Sequence, residues 1–196
     1  MSEVSRYLPL SQRPRHDESG VTGDWAPRLA AVLETLAALL DELTPNEAAV
    51  VHDDVARLAW RLRANRRARL GAKLRRREPL SMSDDQGAVL RAIGAETDRK
   101  RPLGDLASAV IATLDVASAT QRAVELDPVS LGAVAVARAL SAPLPIRAVL
   151  GGITLSASDG DWSVGHGPSQ SAPGVDIVRF LYGRTGLPPA LGLPRL

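Results

Sequence analysis

The sequence has no cysteine and very few aromatic residues. The lack of Cys among 196 residues excludes disulfides, thiolate metal ligands and a thiol nucleophile supplied by the protein. Phe, Trp and Tyr together make up only 3%, so a core has to be built from Leu, Val and Ala. The hydrophobic fraction of 45% is large enough for such a core. Because Ala has the highest helix propensity, this composition favours packed helices.

Long apolar runs and the common catalytic motifs are also missing from the sequence. No apolar run reaches the length of a membrane span, and the first twenty residues lack the apolar centre of a signal peptide. We find no P-loop, GxSxG elbow or Rossmann fingerprint, and no convincing pair of carboxylates for acid–base chemistry. We therefore expect a cytoplasmic protein that does not associate with a membrane.

Helical periodicity fills the first two thirds of the chain. Residues 1–23 are polar and contain Pro and Gly, which predicts a flexible arm. Residues 24–142 are predicted to form an up-and-down bundle of about four helices. The first helix carries leucines at steps of three and four: Leu29, Leu33, Leu36, Leu40 and Leu43. A second helix begins after Thr44 and is expected to continue to about Glu78.

Three shorter helices are predicted after the second one. A capping box at Ser83–Gln86 begins a third helix, which is expected to reach about Lys100. The fourth is predicted over 105–125, and a fifth, Ala-rich helix begins at Ser130 and ends before Pro143. The fold class predicted for the whole chain is mainly α.

Residues 143–196 are predicted to form a small α/β element and a tail. Apolar and polar residues alternate over 153–157, as in a half-buried strand. Asp159-Gly160 is a strong signal for a type I′ turn, and the alternation resumes at Trp162, so an antiparallel hairpin is expected. Residues 146–150 fit a further strand of a two- or three-stranded antiparallel sheet. A short helix follows over 177–181, and Gly183 can end it in the left-handed conformation.

This C-terminal stretch resembles the mycothiol-dependent maleylpyruvate isomerase-like family of bacterial proteins. The resemblance is carried by the strand and turn residues 153–165, by Gly167-Pro168 and by Gly183-Arg184, with Arg101-Pro102-Leu103-Gly104 upstream. It covers roughly a quarter of the chain. It implies a DinB-like helical bundle that binds a metal, joined to a small α/β domain.

The resemblance also implies where a metal would be bound. In the family, a divalent metal such as zinc is held by a His on the second helix and by two ligands one turn apart on the last bundle helix, with mycothiol as co-substrate. His52 matches the first ligand, and Asp53 and Asp54 could add oxygen ligands. Counted from Arg101, the other two positions fall on Arg91 and Ala95, which cannot bind a metal. We therefore expect a divergent member with a degenerate metal site.

Several of these side chains have a simpler interpretation. His52 is either a retained metal ligand or a helix residue paired with a nearby polar group. His166, between two glycines, and His16, in the arm, are expected to have no catalytic role. Trp162 is expected to anchor the core rather than to form a platform for a substrate.

A basic stretch suggests a different kind of function. Ten cationic residues lie between positions 57 and 77: Arg57, Arg61, Arg63, Arg66, Arg67, Arg69, Lys73, Arg75, Arg76 and Arg77. They could bind phosphates with release of counterions, but no aromatic residues are interleaved among them. The alternatives are a solvated or internally paired face, a nucleic-acid site, and a site for an acidic protein or an anionic cofactor.

The sequence leaves three functional hypotheses and does not decide whether the protein is an enzyme. In the first, the metal site is lost, no cofactor is expected, and the protein binds a partner, which could be a second copy or another protein. In the second, the protein is a metal- and thiol-dependent isomerase or S-transferase that uses His52, one divalent metal such as zinc, and mycothiol. In the third, the stretch 57–77 binds nucleic acid or another anionic partner.

Overall fold

A computed structural model describes residues 23–64, 85–96 and 98–186. These residues form seven helices and three strands: α1 (Ala26–Asp41), α2 (Pro45–Arg63), α3 (Gln86–Gly94), α4 (Leu103–Ala119), α5 (Pro128–Leu140), α6 (Leu144–Leu150), β1 (Thr154–Ala157), β2 (Ser163–Gly165), β3 (Ser169–Ala172) and α7 (Gly174–Leu181). The predicted mainly α class, with a small α/β element after a helical bundle, is confirmed.

The first four helices form the bundle. α1 packs against α3 and α4, and α2 packs against the same two helices. The predicted leucine stripe of α1 faces inwards, since Leu33 and Leu36 are fully buried. Buried residues of the bundle belong to the same apolar cluster as Leu155 of β1 and Ile177 of α7, so one continuous core joins the bundle to the C-terminal element.

The start of α2 is as predicted, but its end is not. The Thr44 backbone N–H donates to the Glu47 carboxylate at 2.8 Å, which completes a capping box. The helix ends at Arg63, and Ala64 is already extended, whereas the sequence predicts a helix to about Glu78. The Arg101 guanidinium donates to the carbonyl of Leu62 at 2.8 Å, so one of the last-turn carbonyls is satisfied without a further helical turn.

Two other helix ends differ from the prediction. α3 ends at Gly94 rather than near Lys100. α4 ends at Ala119 because Gln121 adopts a left-handed conformation, with φ of 55°. The N–H of Arg122 then donates to the carbonyl of Ala117 at 2.9 Å, which closes the helix C-terminus.

The start of α5 lies earlier than predicted. Asp127, rather than Ser130, caps this helix, and its carboxylate accepts hydrogen bonds from the N–H groups of Val129 and Ser130. Burial of Asp127 opposes its ionisation, but the hydrogen bonds from Ser130 and Val129 outweigh burial and lower the pKa of this carboxyl. Asp127 also pairs with Arg28 of α1, so the cap of α5 is tied to the bundle.

The sheet is mixed and has β1 in the centre. β1 pairs with β2 in the antiparallel sense, with Leu155 opposite Val164, so the predicted hairpin is confirmed. β3 pairs with β1 in parallel, and the prediction of a wholly antiparallel sheet is therefore wrong. Gly165 and Gly167 have φ of 102° and 114°, and these left-handed residues turn the chain across to the other side of β1.

Residues 144–150 form a helix rather than the expected strand. Pro143 is the N-cap residue of α6, and Pro145 lies in its first turn. Proline is tolerated at these positions because the first-turn N–H groups have no partner within the helix. The last helix, α7, ends as predicted: Gly183 has φ of 69° and the N–H of Arg184 donates to the carbonyl of Arg179 at 2.9 Å.

The hairpin loop does not contain the predicted type I′ turn. That turn needs positive φ at both central residues, but among the described non-glycine residues only Gln121 has positive φ, and Gly160 does not have it either. Instead, the loop spans residues 158–162. The Asp159 carboxylate accepts a hydrogen bond from the N–H of Gly174 at 2.8 Å, which ties the loop to the N-terminus of α7.

Three glycines surround the indole of Trp162. A Cβ added to Gly132 or Gly160 would lie 2.8 Å from an indole atom, and one added to Gly174 would lie 2.9 Å from it. These distances are too short for a real contact, so α5, the hairpin loop and α7 approach the indole closely only because these positions lack side chains. The prediction that Trp162 anchors the core agrees with this packing.

Replacing Gly132 with alanine is expected to destabilise the protein by roughly 1–3 kcal/mol, because the new methyl group displaces the indole. The matched control is Gly104 in α4, where a Cβ would meet nothing within 4 Å. There the same substitution is expected to stabilise by up to about 1 kcal/mol through helix propensity. Urea denaturation of both variants measures the difference, and equal effects would contradict the packing described here.

No single helix in the described ranges is long and apolar enough to cross a membrane. The pair α5 and α6 meets that criterion only when the two helices are taken together, across a bend of 111°.

Candidate functional site

His52 lies on a cleft of about 580 Å³ where three helices meet. The end of α1, the first turns of α2 and the start of α3 form its walls. The lining residues are Leu40, Asp41, Pro45, Ala48, Ala49, His52, Asp85, Gln86 and Gly87. The cleft therefore presents one imidazole, two carboxylates and one amide among small and apolar side chains.

The imidazole of His52 is engaged by Gln86. The Gln86 side-chain nitrogen lies 3.0 Å from the carbonyl oxygen of His52 and 2.9 Å from its Nδ1. A carbonyl oxygen only accepts, so this nitrogen is the amide NH₂ group and Nδ1 accepts its second hydrogen. This geometry corresponds to the tautomer of His52 that carries its proton on Nε2. Nδ1 is occupied, and Nε2 would have to lose its proton to bind a metal.

Arg91 occupies the position at which the resemblance implies a second metal ligand. Its Nε donates to the Glu34 carboxylate at 3.1 Å, and an NH₂ group donates to Asp41 at 2.5 Å. Hydrogen bonds to Asp41 and then Glu34 raise the pKa of Arg91 further above its usual value. A fixed cation, supplied by the chain, therefore neutralises a carboxylate of the His52 cleft.

The described residues do not fit the metal site of the resembled family. Within residues 23–64, 85–96 and 98–186, no group of three or more His, Asp or Glu side chains is placed to hold a metal. Asp53 and Asp54, the expected oxygen ligands, are exposed, and Asp54 pairs with Arg57 at 3.2 Å. The Asp85 carboxylate accepts the N–H of Ala88 at 2.8 Å as the cap of α3.

The segment after α3 is organised around a buried arginine instead of a ligand pair. Ala95 is the C-cap residue of α3, and the Arg101 guanidinium donates to the Glu96 carboxylate at 2.8 Å. Arg101 is only 1% exposed and lies 3.7 Å from the equally buried Asp105. Arg101, the first residue of the segment 101–104, therefore joins helix ends.

A second groove, of about 400 Å³, is lined by two of the three described cations of the basic stretch. Arg57 and Arg61 of α2 lie on one side, and Asp54 and Asp115 line the same groove. Burial raises the pKa of Asp115, although the charge and hydrogen bond of Arg184 oppose this effect. The groove thus contains cations and carboxylates in equal number, which weakens its attraction for polyanions.

The rest of the basic stretch cannot be placed on this surface. Arg63 is exposed at the end of α2. The other predicted anion-binding residues lie outside the described residues: Arg66, Arg67, Arg69, Lys73, Arg75, Arg76 and Arg77. Binding of an anionic partner through 57–77 therefore stays a prediction. His16 and most of the arm 1–23 also lie outside the described residues.

A third groove, of about 360 Å³, lies between α5, α6 and β2. We call it the α5–α6 groove. Its lining residues are Val136, Ala139, Leu140, Arg147, Leu150, Gly151, Ser163, Val164, Gly165 and His166. The sequence singled out His166 only as a loop residue, and the structure places its exposed side chain beside this largely apolar groove.

Gln86 and Arg147 were not identified as functional candidates from the sequence. Gln86 was interpreted only as part of a capping box, because nothing in the local pattern shows that it faces His52 across the bundle. Arg147 belonged to a segment that was predicted to be a strand. The contact of Gln86 with His52 and the place of Arg147 at the α5–α6 groove are visible only once the elements are packed together.

Comparisons with known proteins identify no relative. No protein-family model matches the chain, and no curated protein or solved structure gives a significant match to it.

Proposed function

We propose that this protein is a binding module without catalytic metal chemistry, built on a helical bundle whose ancestral metal site is degenerate. The observation that carries the proposal is the engagement of His52 by Gln86. An imidazole whose Nδ1 accepts an amide hydrogen, on a cleft without a matching ligand pair, is suited to hold helices together rather than to bind a metal.

The charges around the cleft support the same proposal. Arg91 stands where the family resemblance implies a ligand, and it binds carboxylates of α1. Asp41, which lines the cleft, is already paired with this guanidinium, so it attracts a divalent cation less than a free carboxylate would. The ancestry itself rests on the C-terminal resemblance alone and is part of the proposal.

Metal analysis of the purified protein tests this proposal. After expression in medium supplemented with zinc, inductively coupled plasma mass spectrometry is expected to find far less than one zinc per chain. His52→Ala and the matched control His166→Ala are expected to give the same low value. Stoichiometric zinc that is lost in His52→Ala and retained in His166→Ala would contradict the proposal.

The cleft also supports a second candidate function, that of a metal- and thiol-dependent isomerase or S-transferase. Its volume of about 580 Å³ is within the range of small-molecule sites. Two carboxylates line it together with His52, of which Asp41 is bound by Arg91 and Asp85 caps α3. In this case a divalent metal would be bound through His52 Nε2 and would activate a thiol co-substrate such as mycothiol. Stoichiometric zinc dependent on His52 would favour this alternative.

A further inference from the structure

The described surface has an unusual concentration of exposed apolar side chains on α5 and α6. Val129, Val136 and Leu140 are 53%, 45% and 82% exposed. Their spacing of seven and four residues places them on one face of α5. Leu144, at the start of α6, is 73% exposed. From the first to the third, this line extends about 16 Å along the helix, close to three helical turns.

The same line borders the α5–α6 groove, which gives the surface a concave shape. Val136 and Leu140 form one wall of the groove, and Val164 of β2 lies opposite. Burying exposed leucines of this kind contributes about 1.5–3 kcal/mol each. An apolar groove beside an exposed apolar stripe is the form of surface that receives an amphipathic helix.

Among the lining residues of the groove, Arg147 alone carries a formal charge at neutral pH. Arg147 and His166 are the ionisable residues among its lining residues, and no carboxylate is found among them. Arg147 is exposed, so its guanidinium can reach a group outside the groove. Such a rim selects a partner with acidic side chains, since complementary charge favours encounter and fixes the orientation of docking.

The surface is also held in a defined shape. Pro143 and Pro145 flank Leu144 and restrict the backbone of the connection between α5 and α6. The two helices meet at 111°, and the N–H of His166 donates to the carbonyl of Leu150 at 2.7 Å, which joins the end of β2 to α6. A surface ordered before binding loses little conformational entropy when a partner docks.

We propose that the α5–α6 groove is the docking site for an acidic amphipathic helix of a partner protein. The proposal rests on the proposed function, because it names the partner of the binding module. Leucine side chains of the partner helix lie against Val136, Leu140 and Leu144, and a carboxylate of that helix pairs with Arg147.

Two other occupants fit the groove less well. A symmetric contact with a second copy would place the same patch on both sides of the interface, so both sides would carry Arg147 and neither groove would supply a carboxylate. A membrane surface attracts proteins through clusters of about four to eight basic residues. The groove has one arginine and is concave, which suits a helix better than a bilayer.

Fluorescence anisotropy with the full chain and two synthetic peptides tests the proposal. Each labelled peptide has about 18 residues, enough for an amphipathic helix, with leucines at helical spacing and either Glu or Lys on the flanking positions. The Glu peptide is expected to bind at least about 10-fold more tightly than the Lys peptide, because charges at the rim are complementary.

Three variants locate the binding. The double substitution Leu140→Ser and Leu144→Ser is expected to weaken binding of the Glu peptide by at least about 10-fold. Arg147→Glu is expected to reverse the preference in favour of the Lys peptide. The matched control is Val50→Ser, because Val50 is 71% exposed on α2, and it is expected to leave binding unchanged. Circular dichroism checks that all variants fold.

Each other outcome overturns the proposal and identifies a different occupant. Equal binding of the two peptides, or binding that survives the double substitution, rejects the groove as an acidic-helix site. A dimer that becomes a monomer in the double variant, without peptide binding, identifies a second copy. Leu140-dependent binding to phosphatidylcholine–phosphatidylserine vesicles, again without peptide binding, identifies a membrane. If the purified protein contains no zinc and the peptides do not bind, the docking proposal for the groove is rejected and the proposed function stands. If the protein contains stoichiometric zinc that depends on His52, the proposed function is rejected and the docking proposal stands.

Discussion

Replacement of Arg101 by methionine is expected to lower the free energy of unfolding by about 3–5 kcal/mol, the usual cost of removing one partner of a buried ion pair. Arg101 is 1% exposed and lies beside Asp105, whose side chain is 3% exposed. Methionine fills much of the same volume but leaves the carboxylate without the neighbouring guanidinium. Chemical denaturation monitored by circular dichroism measures the loss.

The cost is expected to be large because one side chain joins several helix ends. The guanidinium donates to the carbonyl of Leu62 at the end of α2 and to Glu96 after α3. The backbone N–H of Arg101 also donates to the carboxylate of Asp24, which accepts from the first turn of α1 as well, and methionine keeps this hydrogen bond. These hydrogen bonds lower the pKa of Asp24.

Arg122→Met is the matched control for this prediction. Arg122 also bridges two elements and lies near Glu42 and Glu47, but its side chain is 30% exposed. Exposed ion pairs are worth about 0–1 kcal/mol, so this variant is expected to lose no more than that. Equal losses of unfolding free energy in the two variants would contradict the larger contribution assigned to the buried contacts of Arg101.

Trp162→Ala is expected to destabilise the protein by roughly 3 kcal/mol, towards the lower end of the range for a large aromatic residue removed from a core. The lower end applies because the side chain is only partly buried. The indole packs between α5, the hairpin loop and α7, where Gly132, Gly160 and Gly174 leave room for it. Its removal leaves a cavity that glycine backbones cannot fill.

Trp162→Phe separates packing from the polar part of the indole. The indole N–H is buried and has no hydrogen-bond partner among the described residues, so its loss removes a desolvated polar group. We expect Phe to cost no more than about half the loss seen with Ala, because most of the apolar contact is kept. Thermal unfolding of both variants measures this order, and equal losses would contradict it.

Most helices were predictable from the sequence because their determinants are local. The leucine spacing of α1, the start of α2 after Thr44 and the left-handed Gly183 each depend on nearby residues. The hairpin of β1 and β2 was predictable for the same reason, since the alternation around Leu155 is local. These features appear in the structure as expected.

The failures concern features fixed by contacts between distant residues. α2 ends where Arg101, 39 residues away, takes a carbonyl of its last turn. β3 has no apolar alternation, and its backbone pairs in parallel with the edge of β1 that β2 leaves open. Asp159 does not form the expected type I′ turn, and its carboxylate accepts a hydrogen bond from the distant N–H of Gly174. No local pattern contains these partners.

The candidate site shows the same division. The sequence suggested from Arg91 and Ala95 that a metal site had degenerated, because the residue types alone exclude them as ligands. It could not show that Gln86 reaches His52 or that Arg91 binds carboxylates of α1, since those contacts depend on how α1, α2 and α3 pack. The α5–α6 groove was missed because part of it was assigned to a strand.

The most direct test of the central claim is the protonation state of the His52 ring during a zinc titration. Long-range ¹H–¹⁵N correlation spectra distinguish a protonated ring nitrogen from one that accepts a hydrogen bond. We predict that His52 carries its proton on Nε2, accepts at Nδ1, and keeps both signals unchanged when one equivalent of zinc is added. A stoichiometric zinc-dependent shift of the Nε2 signal, with loss of its proton, would contradict the proposal of a binding module without a metal site.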